Sequence, residues 1–214
     1  MIEQIKIGCA STKTTYGHRL DTTLVELNSD AKISGLFTSN KFKSAPVQIC
    51  LDQLETKMKG RKMLAINAGN ANAATGKKGV SDAKKLIQEI SNLTNISTTQ
   101  ILPFSTGVVG QLLDVKQLSS AFNKCFKNLS KNSWDDFAKA IMTTDTKSKI
   151  IKLPFKAGSK KYHIVGIAKG VGMIEPNMAT TLSFIFTDLK IPELTLKKLH
   201  KRICDKTFNA ISID

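Results

Sequence analysis

Histidine, tryptophan and tyrosine are scarce in this chain of 214 residues, which has three His, one Trp and two Tyr. His18, His163 and His200 are too scattered in sequence to suggest a metal cluster, and they leave little material for a His-based catalytic triad. No interleaving of aromatic with basic residues offers a platform on which nucleic-acid bases could stack. Cysteine is limited to Cys9, Cys50, Cys125 and Cys204. No two of them form a CxxC metal or redox pair, and Cys50 and Cys125 fall at positions expected to be buried in helices. No apolar run reaches membrane-spanning length. The N-terminal Met1-Ile-Glu-Gln-Ile-Lys6 lacks the layout of a signal peptide. The expectation is a cytoplasmic protein with reduced cysteines, no bound metal and no membrane partner.

Acidic residues are also in deficit, 17 Asp and Glu against 32 Lys and Arg, for a net charge of +15. The lysines are spread over most polar segments and form no single stripe. This reads as compositional bias, and nucleic acid is not an expected partner. The excess charge favours small anionic substrates. Apolar residues make up 41% of the chain, enough for one domain or two small ones.

Periodicity predicts short strands over 3–9, 22–27 and 33–38. A helix is expected over 45–59, with Val47, Leu51, Leu54 and Met58 on one stripe. An apolar strand over 62–67 runs into a small-residue loop, and Ser81 is read as capping a helix to about residue 93. Further elements are a strand over 100–104, helices over 114–129 and 134–141, a hairpin of 149–155 with 160–168, a strand over 181–186 and a helix from Pro192 to about 208. A last strand pattern begins at Ala210. The irregular alternation favours a mixed α+β layered fold over a strictly parallel sheet.

The most informative stretch is Gly166-Ile-Ala-Lys-Gly-Val-Gly-Met-Ile-Glu-Pro-Asn-Met-Ala-Thr-Thr-Leu-Ser-Phe-Ile-Phe-Thr-Asp188. A glycine-rich, proline-broken loop leads into Ala179-Thr180 and then a β-type run. A cut between Ala179 and Thr180 would give Thr180 a hydroxyl and a free amine on one residue, a known way to make a threonine nucleophilic. Three more loops are polar and built of small residues: Asn67-Ala-Gly-Asn-Ala-Asn-Ala-Ala-Thr-Gly76, Ser105-Thr-Gly-Val-Val-Gly110 and Met142-Thr-Thr-Asp-Thr146. Such loops offer the fixed N–H and O–H groups that acyl-transfer chemistry needs at a developing oxyanion. A phosphate loop is a poor fit, because the glycines of 69–77 are too far apart and no Ser or Thr follows the lysine as the motif requires. Gly170-Val-Gly172 is only a lone GxG. Asn70 and Asn72 suit Asx-type bonds to the loop backbone. Glu175 and Asp145 are the acids inside these motifs, and neither is assigned as a general base.

Together and in this order, the four loops resemble those of the ornithine acetyltransferase family, also called bifunctional glutamate N-acetyltransferase, of arginine biosynthesis. Phe37-Thr-Ser-Asn-Lys41 and Ala45-Pro-Val47 add to the resemblance, which covers essentially the whole chain. It implies a layered α/β/β/α-type sandwich and self-cleavage between Ala179 and Thr180. It implies transfer of acetyl from N2-acetylornithine to glutamate through an acetyl-Thr180 enzyme. The oxyanion hole would be Thr106 and Gly107, and Thr143 and Lys169 would contact substrate together with Thr180. The implied parts are residues 1–179, an α-chain ending at the cut, and 180–214, the start of a β-chain, with the two chains associating. No cofactor is implied, with acetyl-CoA left open as an acetyl donor.

The chain departs from the resemblance at Ala68, where serine is usual, at Ala74, where cysteine is common, and at Thr181, where methionine is common. Members of that family are also much longer, so a C-terminally truncated form is expected. Two other readings stay open at this point. One is a self-processing aminopeptidase or amidase that hydrolyses the acyl-enzyme. The other is an inactive scaffold acting as a basic binding protein.

Overall fold

The computed structural model describes residues 2–13, 16–56, 58–130, 132–172 and 181–211. Four strands form the first sheet: β1 (Ile5–Ala10), β2 (Thr22–Leu27), β3 (Lys62–Asn70) and β4 (Ile101–Val108), paired in that order. β1, β2 and β3 are antiparallel, while β3 and β4 run parallel. A parallel pair needs a crossover, and helix α2 (Gly76–Thr94) supplies it. Helix α1 (Ala45–Glu55) lies between β2 and β3. Helices α3 (Val115–Lys127) and α4 (Trp134–Ala140) follow β4. The second sheet is an antiparallel meander of β5 (Lys149–Ala157), β6 (Lys160–Lys169) and β7 (Leu182–Thr187), after which comes helix α5 (Glu193–Lys206).

Alternation along the strands separates two cores, because successive side chains point to opposite faces. Leu24, Met63, Ala65 and Ile101 pack on Leu86, Ile87 and Ile90 of α2 and on Leu118 and Phe122 of α3. Ile7, Val25, Leu64, Ile66 and Leu102 point the other way, toward α4 and the inner face of the second sheet. There Trp134 meets Phe186 edge-on with ring centroids 5.3 Å apart, and Phe137 meets Phe184 at 5.2 Å. Phe104 of β4 also meets Phe184 edge-on, at 5.1 Å. This aromatic cluster joins the sheets directly, and the architecture is the α+β sandwich expected. The outer face of the second sheet carries exposed Ile151, Leu153 and Ile185.

Several boundaries differ from the sequence reading. Residues 33–38 form no strand. Both edges of β2 are already taken by β1 and β3, and Ile33 and Phe37 pack against the core from a loop. Helix α1 stops at Glu55, and its most buried face is Ala45, Pro46, Ile49 and Cys50 rather than the Val47 stripe. Helix α2 starts at Gly76, not at Ser81. Asn72 secures the early start, since its Oδ1 accepts from Thr75 Oγ1 at 2.8 Å and its Nδ2 donates to Gly79 O at 3.0 Å. Phe208–Ala210 is a 3-10 turn, so Ala210 does not open a strand, and residues 212–214 lie outside the described residues. Asp114 does cap α3, accepting from Gln117 N at 2.9 Å.

All four cysteines are free thiols, and Cys50 and Cys125 are buried helix positions. Burial pushes the Cys9 and Cys125 thiols up to about 12, so neither is a nucleophile at neutral pH. Among the described residues no helix is long and apolar enough to cross a membrane.

Trp134 is fully buried, and its Nε1 has no hydrogen-bond partner. Its contribution is therefore packing between the sheets. Trp134→Ala is expected to cost about 3–5 kcal/mol in equilibrium urea unfolding. Trp134→Phe keeps most of the ring contact and should cost well under half of that.

Candidate functional site

The parallel pairing of β3 and β4 places two of the small-residue loops side by side. In register, Asn67 faces Ser105, Ala68 faces Thr106 and Gly69 faces Gly107. Ser105 Oγ donates to Asn67 Oδ1 at 2.6 Å, and Asn67 Nδ2 donates to Asn70 O at 2.9 Å. Asn70 donates to the carbonyls of Gln111 and Leu112 at 3.1 Å, and its Oδ1 accepts from Asn72 N at 2.7 Å. Asn70 and Asn72 thus hold loop backbone, as their residue type predicts.

Gly107 has φ +132, and a Cβ there would stand 2.3 Å from the Gly69 carbonyl carbon. Only glycine fits both the angle and the approach. Beside it Thr106 is 9% exposed, and its hydroxyl accepts a hydrogen bond from Lys169 Nζ at 3.1 Å. A threonine hydroxyl has one proton and two lone pairs. Accepting from an ammonium leaves that proton free to donate and polarises it. Thr106 and Gly107 can therefore present a side-chain O–H and a backbone N–H from adjacent residues.

Lys169 is the last residue of β6 and is 5% exposed. None of the ion pairs among the described residues includes it. Burial lowers its pKa, the charge of Asp145 raises it in part, and Lys149 lowers it again. An ammonium has three donors, and one goes to Thr106. Among the described residues no other acceptor is given for it, so donors are available for an anionic ligand such as a carboxylate.

The 142–146 loop is tied to the same place by Asp145, a residue the sequence reading left without a role. Its buried carboxylate accepts from Lys149 Nζ at 2.6 Å, from Gly170 N at 2.9 Å and from Thr143 N at 3.4 Å. Burial acts to raise its pKa, but these hydrogen bonds outweigh it and hold the carboxyl below its ordinary value of 3.8. Thr143, two residues before Asp145, is half-buried. Arg19 supports the loop from its other end, donating from Nη2 to Met142 O at 2.6 Å while stacking on Tyr16. Neither contact of Arg19 has a sequence signature.

Ala179 and Thr180, the expected cleavage pair, lie outside the described residues. Their following neighbour is described: Thr181 Oγ1 donates to Lys169 O at 2.7 Å, and Leu182 pairs with Lys169 in the ladder. The residue that follows Thr180 therefore lies against Lys169. Of the expected site residues, the structure joins Thr106 to Lys169 directly and Thr143 to the end of β6 through Asp145. Two cavities of about 360 Å³ each lie elsewhere. One is beside Asp114 and Lys124, the other beside Phe42 and Thr75. Among the described residues no group of three His, Cys, Asp or Glu side chains converges as a metal site.

The fold is a layered α+β sandwich shared with solved structures. The chain belongs to the ArgJ family, whose profile matches residues 4–214. It is 38% identical over 222 residues to the arginine biosynthesis bifunctional protein ArgJ of Colwellia psychrerythraea, covering 100% of this chain and 52% of that protein. It is 40% identical over 194 residues to the protein of the same name from Caldanaerobacter subterraneus, covering 91% of this chain and 48% of the other. The chain thus spans about half the length of the relatives it matches. Among solved structures, an ArgJ from Bacillus halodurans superposes with a TM-score of 0.69 at 25% identity, over 80% of this chain and 89% of that one. An ornithine acetyltransferase from Mycobacterium tuberculosis, solved with ornithine, gives 0.67 at 26% identity, over 80% and 90%.

Gly107→Ala is expected to be the most damaging single-methyl change in the site. The added Cβ has only backbone to displace, so β3 and β4 must part at Gly69. Amide chemical shifts of 67–70 and 105–108 should move together, with a lower unfolding midpoint. Lys169→Met should behave in the opposite way. It removes a buried cation with one neutral partner, and such replacements are often neutral or stabilising. Its thermal unfolding should come no lower than that of the wild type.

Proposed function

We propose that this chain carries the self-processing and acyl-transfer half-site of an ornithine acetyltransferase. The observation that carries the reading is the buried hydrogen bond from Lys169 Nζ to Thr106 Oγ1, beside the Gly107 N–H and against the strand that begins just after Thr180. It puts a cation and an oxyanion-type donor pair at one point.

In processing, Thr180 Oγ attacks the Ala179 carbonyl and the peptide nitrogen leaves as the new amine, giving an ester. Water then hydrolyses the ester, so Ala179 ends as a carboxylate and Thr180 as a free N-terminal residue. An α-amine has a reference pKa of about 7.7–8. Part of it is unprotonated at neutral pH and takes the proton of its own hydroxyl. Thr180 Oγ then attacks the acetyl carbonyl of N2-acetylornithine. The amine passes that proton to the departing ornithine nitrogen, and acetyl stays on Thr180. Glutamate attacks the ester with its amine, the acetyl–Oγ bond breaks, the proton lost by the glutamate amine returns to Thr180 Oγ, and glutamate leaves acetylated. In both halves the tetrahedral oxyanion takes the Thr106 O–H and the Gly107 N–H. Lys169 binds the carboxylate common to both substrates, and Thr143 lines the same cleft.

On this reading residues 1–179 and 180–214 become associated α- and β-chains, with the longer relatives' remaining length completing the substrate pocket. No cofactor takes part, and acetyl-CoA would serve only as an alternative acetyl donor. The cation beside the donor pair fits a substrate that carries a carboxylate, and glutamate-dependent release of ornithine separates transfer from the amidase reading.

Intact mass measurement tests processing. The wild type should resolve into two pieces divided after Ala179, Thr180→Ala should stay whole, and Thr180→Ser should divide. A folded wild type that remains uncut would overturn self-cleavage for this chain. Thr106→Val removes one oxyanion donor and should slow cleavage about 100-fold or more.

A further inference from the structure

We infer that Asp145 is the positioning residue of this site: its buried carboxylate fixes Thr143 and Lys169 relative to each other and supplies the negative charge that Lys169 lacks. The inference rests on the reading of Thr143 and Lys169 as substrate contacts, and adds a residue that touches no substrate.

The side chain of Asp145 is 1% exposed. A carboxylate so buried is stable only when its oxygens are satisfied. Oδ1 takes Lys149 Nζ and Gly170 N, while Oδ2 takes Thr143 N. Thr143 belongs to the loop after α4, and Gly170 directly follows Lys169. One carboxylate therefore spans two segments that share no strand ladder. It clamps the loop that carries Thr143 to the strand end that carries Lys169.

The charge matters as much as the geometry. Among the described residues, the charged groups that act on Lys169 are Asp145 and Lys149. Asp145 favours the ammonium and Lys149 opposes it. The Asp145–Lys149 pair is thus a balance, with the carboxylate on the side that keeps Lys169 cationic. Removing either member should move Lys169 in opposite directions, which loss of packing alone would not do. Asp145 itself stays ionised over the working range. With its pKa held below 3.8, its contribution is fully present above pH about 4 and is lost only as pH falls through the lowered value.

The test uses the full chain and needs no turnover. Lys169 is modified with acetic anhydride over a series of pH values and read by peptide mass. Hydrogen exchange is read at the Thr143 and Gly170 amides. In Asp145→Asn the Lys169 midpoint should move to lower pH, and exchange at Thr143 should rise about tenfold, the effect of losing one hydrogen bond to a charged acceptor. In Lys149→Gln the midpoint should move to higher pH, with the Gly170 bond kept. If Asp145→Asn fails to fold, Asp145→Glu decides: it keeps the charge but displaces the carboxylate, so exchange at Thr143 should rise while the Lys169 midpoint stays near the wild-type value, and unchanged exchange would overturn the clamp. A midpoint unmoved in folded Asp145→Asn and Lys149→Gln, or moved the same way in both, would overturn the assignment. An uncut Thr180 with opposed midpoint shifts would instead leave the role of Asp145 standing and remove the processing reading.

Discussion

The site is organised around one buried hydrogen bond between the sheets, from Lys169 Nζ to Thr106 Oγ1. Everything around it follows from the cost of burying an ammonium. A cation 5% exposed needs donors satisfied and a compensating charge nearby. Thr106 satisfies one donor and Asp145 supplies the charge. For Thr106 to stand there, β4 must run parallel to β3, and that requires the α2 crossover. For Lys169 to stand there, β6 must end where the 142–146 loop passes. The site is thus the meeting point of two independently built sheets, and the Phe104, Phe137, Phe184 and Phe186 rings keep them in register behind it.

Most of the fold could be read from the sequence because its signals are local. Short β-type runs located β2 and both arms of the β5–β6 hairpin, an apolar run located β3, and Asp114 announced α3. The failures come from competition. The run 33–38 has strand composition, but pairing is a property of neighbours, and β2 has no free edge for it. The early start of α2 depends on Asn72, which reads as a loop residue and acts as one. It satisfies Thr75 and Gly79 and so lets the helix begin at a glycine.

The site divides in the same way. Thr106, Gly107, Thr143 and Lys169 lie in stretches of unusual composition, and family resemblance singled them out before any contact was known. Asp145 lies in one of those stretches too, but an acid near a nucleophile suggests a general base first. Only three-dimensional contacts reveal a carboxylate whose oxygens all point at backbone N–H groups and a lysine. Arg19 was invisible for a simpler reason. Its bond to Met142 O joins residues 123 apart, and nothing in a lone arginine records that.

A carboxylate with this many donors is also poorly suited to taking protons. Each hydrogen bond stabilises its ionised form, and proton transfer to it would have to break them. That excludes Asp145 as the base and leaves base chemistry to a group of higher pKa, which the N-terminal amine of a processed Thr180 provides on the proposed reading. The same argument fixes the division of labour at the site. On the proposed reading the multiply bonded Asp145 positions the cleft and Lys169 charges it, while the hydroxyl and amine that change protonation belong to the segment leading into β7. On that reading, separating the two keeps the positioning contacts intact while the chemistry is supplied by a residue created through cleavage.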